Sequence, residues 1–439
     1  MANTQPEPIE PSSGSTLETS TRRKVLLGLG AAAAGSLIAP GYVNAADSPE
    51  TTKARLGFIA LSDCAPLVIA KEKGYFEKYG MKDVEVLKQA SWGGTRDNLE
   101  LGSDGGGIDG AHILTPMVYL LSNGNITKGK QKIPMYILAR LNVNGQGISV
   151  SNAYKSLGVK LDTSKLKPAA DKARSEGKPF TVAETFPGGT HWAWLRYWLA
   201  AGGINPETDL KVITIPPPQM VANMKTGTMD AFCVGEPWNQ QLINQLIGYS
   251  AVTTGQIWAN HPEKAFALRA SYVDKNPKAA KALLLAVQEA QMWCDKAENK
   301  QEMSEIVSKR QWINAPVGDI IARYKGIFDF GDGRPIERNS PHVMKFWQGA
   351  ASYPYKSHDL WFLTEDIRWG VIPQKTDIKK LVEAVNREDL WKDAAKTIGQ
   401  QAMIPKSTSR GVEKFFDGIK FDPANPEAYL KSVKIKKLA

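Results

Sequence analysis

Met229-Asp230-Ala231-Phe232-Cys233-Val234-Gly235-Glu236-Pro237-Trp238 and, upstream, Ile108-Asp109-Gly110-Ala111-His112-Ile113-Leu114-Thr115-Pro116-Met117 follow one plan. In each, an Asp is followed by a short apolar run and then by a Pro seven positions after the Asp. A short apolar run bounded by turn residues reads as a buried strand, and a Pro at its end stops the ladder. The surrounding sequence repeats as well. From Arg55 the order is strand 56–61, helix 66–79, strand 84–89, helix 96–101, strand 110–114. From Phe180 it is strand 180–184, helix 191–201, strand 211–215, helix 219–226, strand 231–234. Strands alternating with helices predict an α/β fold of two lobes, each a mainly parallel sheet flanked by helices. Ligands of such folds bind outside the C-terminal ends of the strands, here in a cleft between the lobes.

A Gly-Gly-Thr triplet also occurs twice, in Trp92-Gly93-Gly94-Thr95 and in Pro187-Gly188-Gly189-Thr190-His191, each time between an apolar run and a helical stretch. Glycines let backbone amides approach a ligand, Thr can cap a helix, and the free amides of a helix start favour an anion. Two such starts on opposing lobes could grip one small anion. Each triplet can equally be a well-capped turn.

The N-terminus reads as an export signal. Arg22-Arg23-Lys24 precede an apolar, Gly/Ala-rich stretch from Val25 to Ile38, and the small-residue run Val43-Asn44-Ala45-Ala46 follows. The apolar stretch is too short to span a bilayer, and adjacent arginines before it suggest the twin-arginine route, with cleavage near Ala45/Ala46. The leader's charged groups (Arg22, Arg23, Lys24 against Glu7, Glu10, Glu18) cancel, so the formal net charge of +10 belongs to the mature chain. That suits an anion-handling protein. The lysines are spread along the chain, and only Lys431, Lys434, Lys436 and Lys437 cluster, in what reads as a solvated tail. No nucleic-acid-binding pattern accompanies the charge.

Other chemistries lack their motifs. Gly124 to Lys130 fits G-x-x-x-x-G-K, but Gln131 stands where a P-loop needs Ser or Thr. Asp329-Phe330-Gly331-Asp332-Gly333 lacks the distal Glu of an EF-hand. Cys64, Cys233 and Cys294 are far apart, and the five histidines (His112, His191, His261, His342, His358) form no local metal motif. Binding is favoured over catalysis, with no cofactor and no metal expected. The chain beyond Ala270 reads as helices (278–297, 303–307, 315–324, 375–398) whose tryptophans pack in a core. The expected organisation is a signal peptide 1–45, a first part of lobe I 54–143, lobe II 144–254, and 255–439 returning to lobe I and extending as helices packed on it.

Lys71-Glu-Lys-Gly-Tyr-Phe-Glu-Lys-Tyr-Gly80, then Gly227-Thr-Met-Asp-Ala-Phe232 and Gly235-Glu-Pro-Trp238, resemble the periplasmic solute-binding proteins of ABC transporters. Within that family the chain is similar to the nitrate-binding and bicarbonate-binding branch, the NrtA and CmpA type. The resemblance implies a type II periplasmic binding protein fold that closes about a hinge. It also implies a monomer that delivers nitrate, and nitrite, to an inner-membrane ABC permease and its ATPase. Family members usually carry a lipobox cysteine after the signal; none lies between residues 25 and 50 here, so a diffusing periplasmic protein is expected. Bicarbonate or a sulfonate is the alternative ligand, and a pyrimidine-synthase-like enzyme using His191 the alternative of another class.

Carried over residue by residue, the family's pocket falls on Trp92, Gln146, His191, Pro217 and Lys264, to which the triplets add Gly94 and Thr190. Nitrate is planar, monovalent and only an acceptor, so its site needs donors and no competing carboxylate. Trp92 offers an indole N–H, Gln146 an amide, Thr190 a hydroxyl, His191 a ring N–H and Lys264 the neutralising charge. The neighbouring Glu263 competes with Lys264 for the cleft-facing position.

Overall fold

The strand that follows each Asp is the middle of a sheet. In the computed structural model, which describes residues 48–438, the first part of the chain lays down β1 (Lys53–Phe58), β2 (Asp83–Lys88), β3 (Gly110–Leu114) and β4 (Met135–Arg140). It then crosses to β5 (Gln146–Ser151), β6 (Thr181–Glu184), β7 (Lys211–Thr214), β8 (Ala231–Gly235) and β9 (Gly248–Thr253), and returns as β10 (Lys264–Arg269). The two five-stranded sheets have the orders β2-β1-β3-β10-β4 and β7-β6-β8-β5-β9. β3 and β8, both central, are buried along their whole length. The leader with Arg22 and Arg23, and the junction at Ala45 and Ala46, lie outside the described residues.

The internal repeat is literal at the two aspartates. The Asp109 N–H donates to Arg55 O and its Oδ2 accepts from Arg55 N, each at 2.8 Å. The Asp230 N–H likewise donates to Thr181 O at 2.8 Å, and its Oδ2 accepts from Thr181 N at 2.7 Å. Each Asp thus ties the start of a central strand to the start of its parallel neighbour. Gly110 is required beside it, because a Cβ there would lie 2.1 Å from Leu268 Cδ2 and 2.6 Å from Ala267 O. At the far ends, Pro116 lies in the first turn of helix Thr115–Asn123 and Pro237 immediately precedes helix Trp238–Asn244. Both are positions where a missing N–H costs little.

Both sheets are mixed, and the reversed strand is in each case the one arriving from the other lobe. β10 runs antiparallel to β3 and β4, and β5 antiparallel to β8 and β9. The crossings, residues 141–145 and 254–263, meet at Val143, which bridges both Pro262 and Lys345. The connection between the lobes therefore includes a third segment, from the C-terminal part of the chain.

Three local expectations are corrected. The predicted helix 66–79 is broken at Gly74 (φ +70°) into Ala65–Glu72 and Tyr75–Lys78. Helix 375–398 is two helices, Ile378–Val385 and Glu388–Thr397, because Asn386 turns its amide inward to Asp359 (2.7 Å) and Pro354 O (2.8 Å). The residues from Lys431 on are not a free tail: Val433 is buried, Lys437 N donates to Arg368 O at 2.9 Å, and Lys437 Nζ pairs with Glu207 at 2.9 Å.

The C-terminal extension does not pack on lobe I alone. Gln291 donates to Arg140 O and Leu141 O of lobe I (2.8 and 2.9 Å). On lobe II, Tyr197 donates to Asp417 (2.9 Å), Asn244 to Asp319 (2.6 Å) and Arg334 to Ala251 O (3.1 Å). The reason is the aromatic face of helix Thr190–Ala201, which needs an apolar cover that lobe II does not supply: Trp194 stacks on Trp361 of helix Lys356–Arg368 at 4.9 Å and 15°.

Candidate functional site

Where the C-terminal ends of both sheets meet, a charged cluster is wholly buried. Lys264, the first residue of β10, is 0% exposed and donates to Asp63 Oδ2 (2.9 Å) and to Glu263 Oε2 (2.7 Å). Asp63 lies in the turn between β1 and helix Ala65–Glu72. Its other oxygen accepts from His112 Nε2 at 2.6 Å, and Oδ2 also accepts from Gln146 Nε2 of lobe II at 2.9 Å. The Gln146 Oε1 accepts from His191 Nε2 (2.6 Å), and Thr185 Oγ1 donates to His191 Nδ1 (2.7 Å). Glu263 accepts from Thr190 Oγ1 (2.9 Å) and Trp194 Nε1 (3.0 Å). Trp92 covers the cluster, its ring centroid 5.7 Å from Lys264 Nζ.

Because carboxylates only accept, these contacts settle each donor. Gln146 must turn its NH2 to Asp63, so its carbonyl faces His191, which then carries its proton on Nε2. Burial alone would raise the Asp63 carboxyl, but Lys264 and His112 beside it hold it well below the usual carboxylate range. Burial would depress Lys264, yet Asp63 and Glu263 together keep it above its ordinary value. For Glu263, burial outweighs the single ammonium and its carboxyl is raised. Burial, reinforced by Lys264, holds His191 far below the ordinary imidazole value, so it is neutral.

Trp92, Gln146, Thr190, His191 and Lys264 are thus gathered in one place from both lobes. Gly94 and Pro217 are not part of it. Gly94 sits inside the first turn of helix Trp92–Leu101, and its N–H is taken by the Ser91 side chain at 3.1 Å. The helix begins at Trp92 rather than Arg96 because Ser91 supplies the cap. Pro217 opens a short turn after the edge strand β7 and makes none of the bonds that join the cluster. In the second triplet Gly189 occupies the cap position, and Thr190 is the first helical residue with its hydroxyl turned to Glu263.

The expectation of a site without carboxylates is overturned. Asp63 and Glu263 both face Lys264, so the choice between Glu263 and Lys264 is not a choice: both side chains point inward. Asp63 and His112 were missed as functional candidates. The position of Asp63 after the first parallel strand, where α/β ligands bind, is the signal that could have found it. His112 lies among apolar strand residues and carries no such signal. All three cysteines are buried and free.

At the lobe II edge of the site, Glu184 ends β6 with one oxygen accepting from Thr214 (2.5 Å) and the other without a hydrogen-bond partner among the described residues. Burial pushes its carboxyl from 4.5 to about 7. An acid raised in the folded state adds stability that is present below its unfolded value and lost as pH rises through the folded one. Glu184→Gln is therefore expected to remove a loss of about 3 kcal/mol that the unaltered protein suffers between roughly pH 4.5 and 7, read by urea unfolding across that range.

The NMT1-like family model matches residues 47–308. The nitrate/nitrite binding protein NrtA of Nostoc sp. is 58% identical over 95% of this chain and 99% of its own. The bicarbonate-binding protein CmpA of Synechococcus elongatus is 44% identical over 95% and 98%. The crystal structure of the periplasmic nitrate-binding protein NrtA from Synechocystis superposes with a TM-score of 0.86 at 62% identity, covering 88% of this chain and all of that one. With a family model spanning more than half its length and relatives aligned from end to end on the same two-lobed fold, the chain belongs to the NMT1-like family.

Proposed function

We propose that this chain captures nitrate, and nitrite, in the periplasm and presents it to an ABC-type import permease and its ATPase. The observation that carries the reading is Lys264, a buried ammonium set against the Trp92 ring where lobe II brings Gln146, Thr190 and His191. A monovalent planar acceptor needs one counter-charge, a flat apolar wall and converging donors, and this is that set. Gln146, Thr190 and His191 are held by partners within the cluster, so the anion gains them by exchange with Asp63, Glu263 and the Gln146 carbonyl respectively. The identity to NrtA exceeds that to CmpA, which favours nitrate over bicarbonate. The relatives aligned from end to end, NrtA and CmpA, are binding proteins, so the pyrimidine-synthase-like alternative loses ground to capture and release.

Bicarbonate is the second reading, favoured by one observation: the Glu263 and Asp63 carboxylates can accept its O–H, which nitrate lacks. Calorimetric titration of nitrate, nitrite, bicarbonate, sulfate and taurine is expected to give micromolar or tighter binding, about −8.2 kcal/mol or better, for nitrate and nitrite only. Tight bicarbonate with weak nitrate would reverse the assignment.

Delivery outside the cytoplasm rests on the leader. Replacing Arg22 and Arg23 together by Lys is expected to strand the precursor in the cytoplasm, as read by fractionation. Unimpaired periplasmic delivery of the double variant would reject the twin-arginine route.

A further inference from the structure

Two buried nitrogens at this cluster have no hydrogen-bond partner among the described residues, Trp92 Nε1 and His112 Nδ1. Their rings lie 5.8 Å apart, centroid to centroid, on helix Trp92–Leu101 and strand β3. The indole nitrogen is a donor. His112 Nε2 donates to Asp63, so in neutral His112 the Nδ1 is a bare lone pair, an acceptor that repels an acceptor-only anion. The charges facing it are those of Asp63 on the β1 turn and, beyond that carboxylate, Lys264 and Glu263 at β10. His191 across the cleft is closed on both nitrogens. Two carboxylates against one ammonium leave the cluster one negative charge in excess before any anion arrives.

Resting on the nitrate reading above, we propose that the anion binds together with one proton, and that His112 Nδ1 takes that proton and becomes, with Trp92 Nε1, a donor to the bound anion. A site with net charge −1 does not accept a second negative charge in a low dielectric without compensation. The proton supplies it. His112 can take it without losing a bond, because its Nδ1 has no partner among the described residues and faces Trp92 at the cluster, whereas the Glu263 oxygens are turned to Thr190, Trp194 and Lys264. Protonation turns the one misdirected acceptor into an N–H while Asp63 steadies the imidazolium through the other nitrogen. Burial, only partly offset by Asp63, holds His112 below its ordinary value, so in the free protein near neutral pH the proton is absent and binding must bring it. His112 thereby becomes a specificity-determining residue. Protonated, it suits nitrate and nitrite, which only accept; neutral, it can accept the O–H of bicarbonate.

The test is calorimetric titration with nitrate in buffers of different ionisation enthalpy, with nitrogen-15 spectra of the histidines in the free and nitrate-saturated protein. Uptake of close to one proton per nitrate, a fall in affinity of about tenfold per pH unit on the alkaline side, and conversion of His112 from its neutral to its doubly protonated signature are expected. His112→Gln should abolish the uptake and flatten the pH profile; Trp92→Phe should weaken nitrate while leaving the uptake intact. Nitrate binding with His112 still neutral in the unaltered protein, or uptake that survives His112→Gln and disappears in Glu263→Gln, would overturn the inference and leave the nitrate reading standing. No nitrate binding at any pH between about 5 and 9 would overturn both.

Discussion

Lys264→Met is expected to abolish measurable nitrate binding and to steepen the loss of stability with rising pH. The ammonium is fully buried and is the cation shared by Asp63 and Glu263. Removing one partner of a buried ion pair costs about 3–5 kcal/mol, because the groups left behind are charged and unpaired. On the ligand side, charge-assisted hydrogen bonds contribute about 1.5–3 kcal/mol each, and the loss of attraction adds to repulsion from two carboxylates. In the unaltered protein Asp63 is depressed, so its contribution is present above the ordinary carboxylate range and lost as pH falls below it. Without Lys264, burial governs both carboxyls and raises them. Their contribution is then present at acid pH and lost as pH rises through the raised values. Urea unfolding of the variant should therefore show stability falling more steeply between about pH 4 and 7 than in the parent, where Glu184 and Glu263 are raised but Asp63 is held low. Lys264→Arg controls for charge. A folded Lys264→Met variant that keeps its nitrate affinity would remove Lys264 from the site.

How far the sequence reached depends on the range of the interactions involved. The paired strands after Asp109 and Asp230 were legible because their signals are local: an apolar run, a turn before it, a Pro after it. Trp92, Gln146, His191 and Lys264 were candidates through the family resemblance and Thr190 through its triplet, since nothing local distinguishes a buried lysine from a surface one. Asp63 was out of reach for a specific reason. Its partner Lys264 is 201 residues away, and an Asp beside Ser62 and Cys64 reads as a turn residue until that partner is placed. His112 hid in an apolar strand for the same reason. At Gly94 the N–H that the triplet offered to an anion is taken by the Ser91 side chain.

The C-terminal extension shows the other limit. Its helices were readable, but not where they go, because what directs them is packing between distant aromatic faces. Trp194 both stacks on Trp361 and donates to Glu263, so the extension steadies a carboxylate of the site from behind. Arg140 does the same from below: paired with Asp359 of the extension at 2.6 Å, it also donates to Thr115 Oγ1, which donates to Glu263 O at 2.5 Å. The extension is thus part of what holds the cluster between the two lobes together.

That arrangement is expected to fail in Gly189→Val while both lobes stay folded. A Cβ at Gly189 would lie 2.7 Å from Leu114 Cδ1, at the end of β3 in the opposite lobe, and 3.0 Å from Phe186 O. Its φ of −90° is open to any residue, so the obstacle is contact across the cleft rather than backbone strain. Overpacking of this kind costs about 1–3 kcal/mol, and since only the closed state suffers the cross-lobe clash, nitrate affinity should fall by roughly tenfold to a hundredfold. Small-angle scattering with saturating nitrate should show a larger radius of gyration than the parent, with far-UV circular dichroism unchanged. The clash names its own remedy. Leu114→Ala shortens the opposing side chain, so the Gly189→Val/Leu114→Ala double variant should recover much of the lost affinity, a coupling that two independent defects would not show. Additive losses in the double variant, or full binding by Gly189→Val alone, would mean that the second Gly-Gly-Thr is a turn without a part in closure.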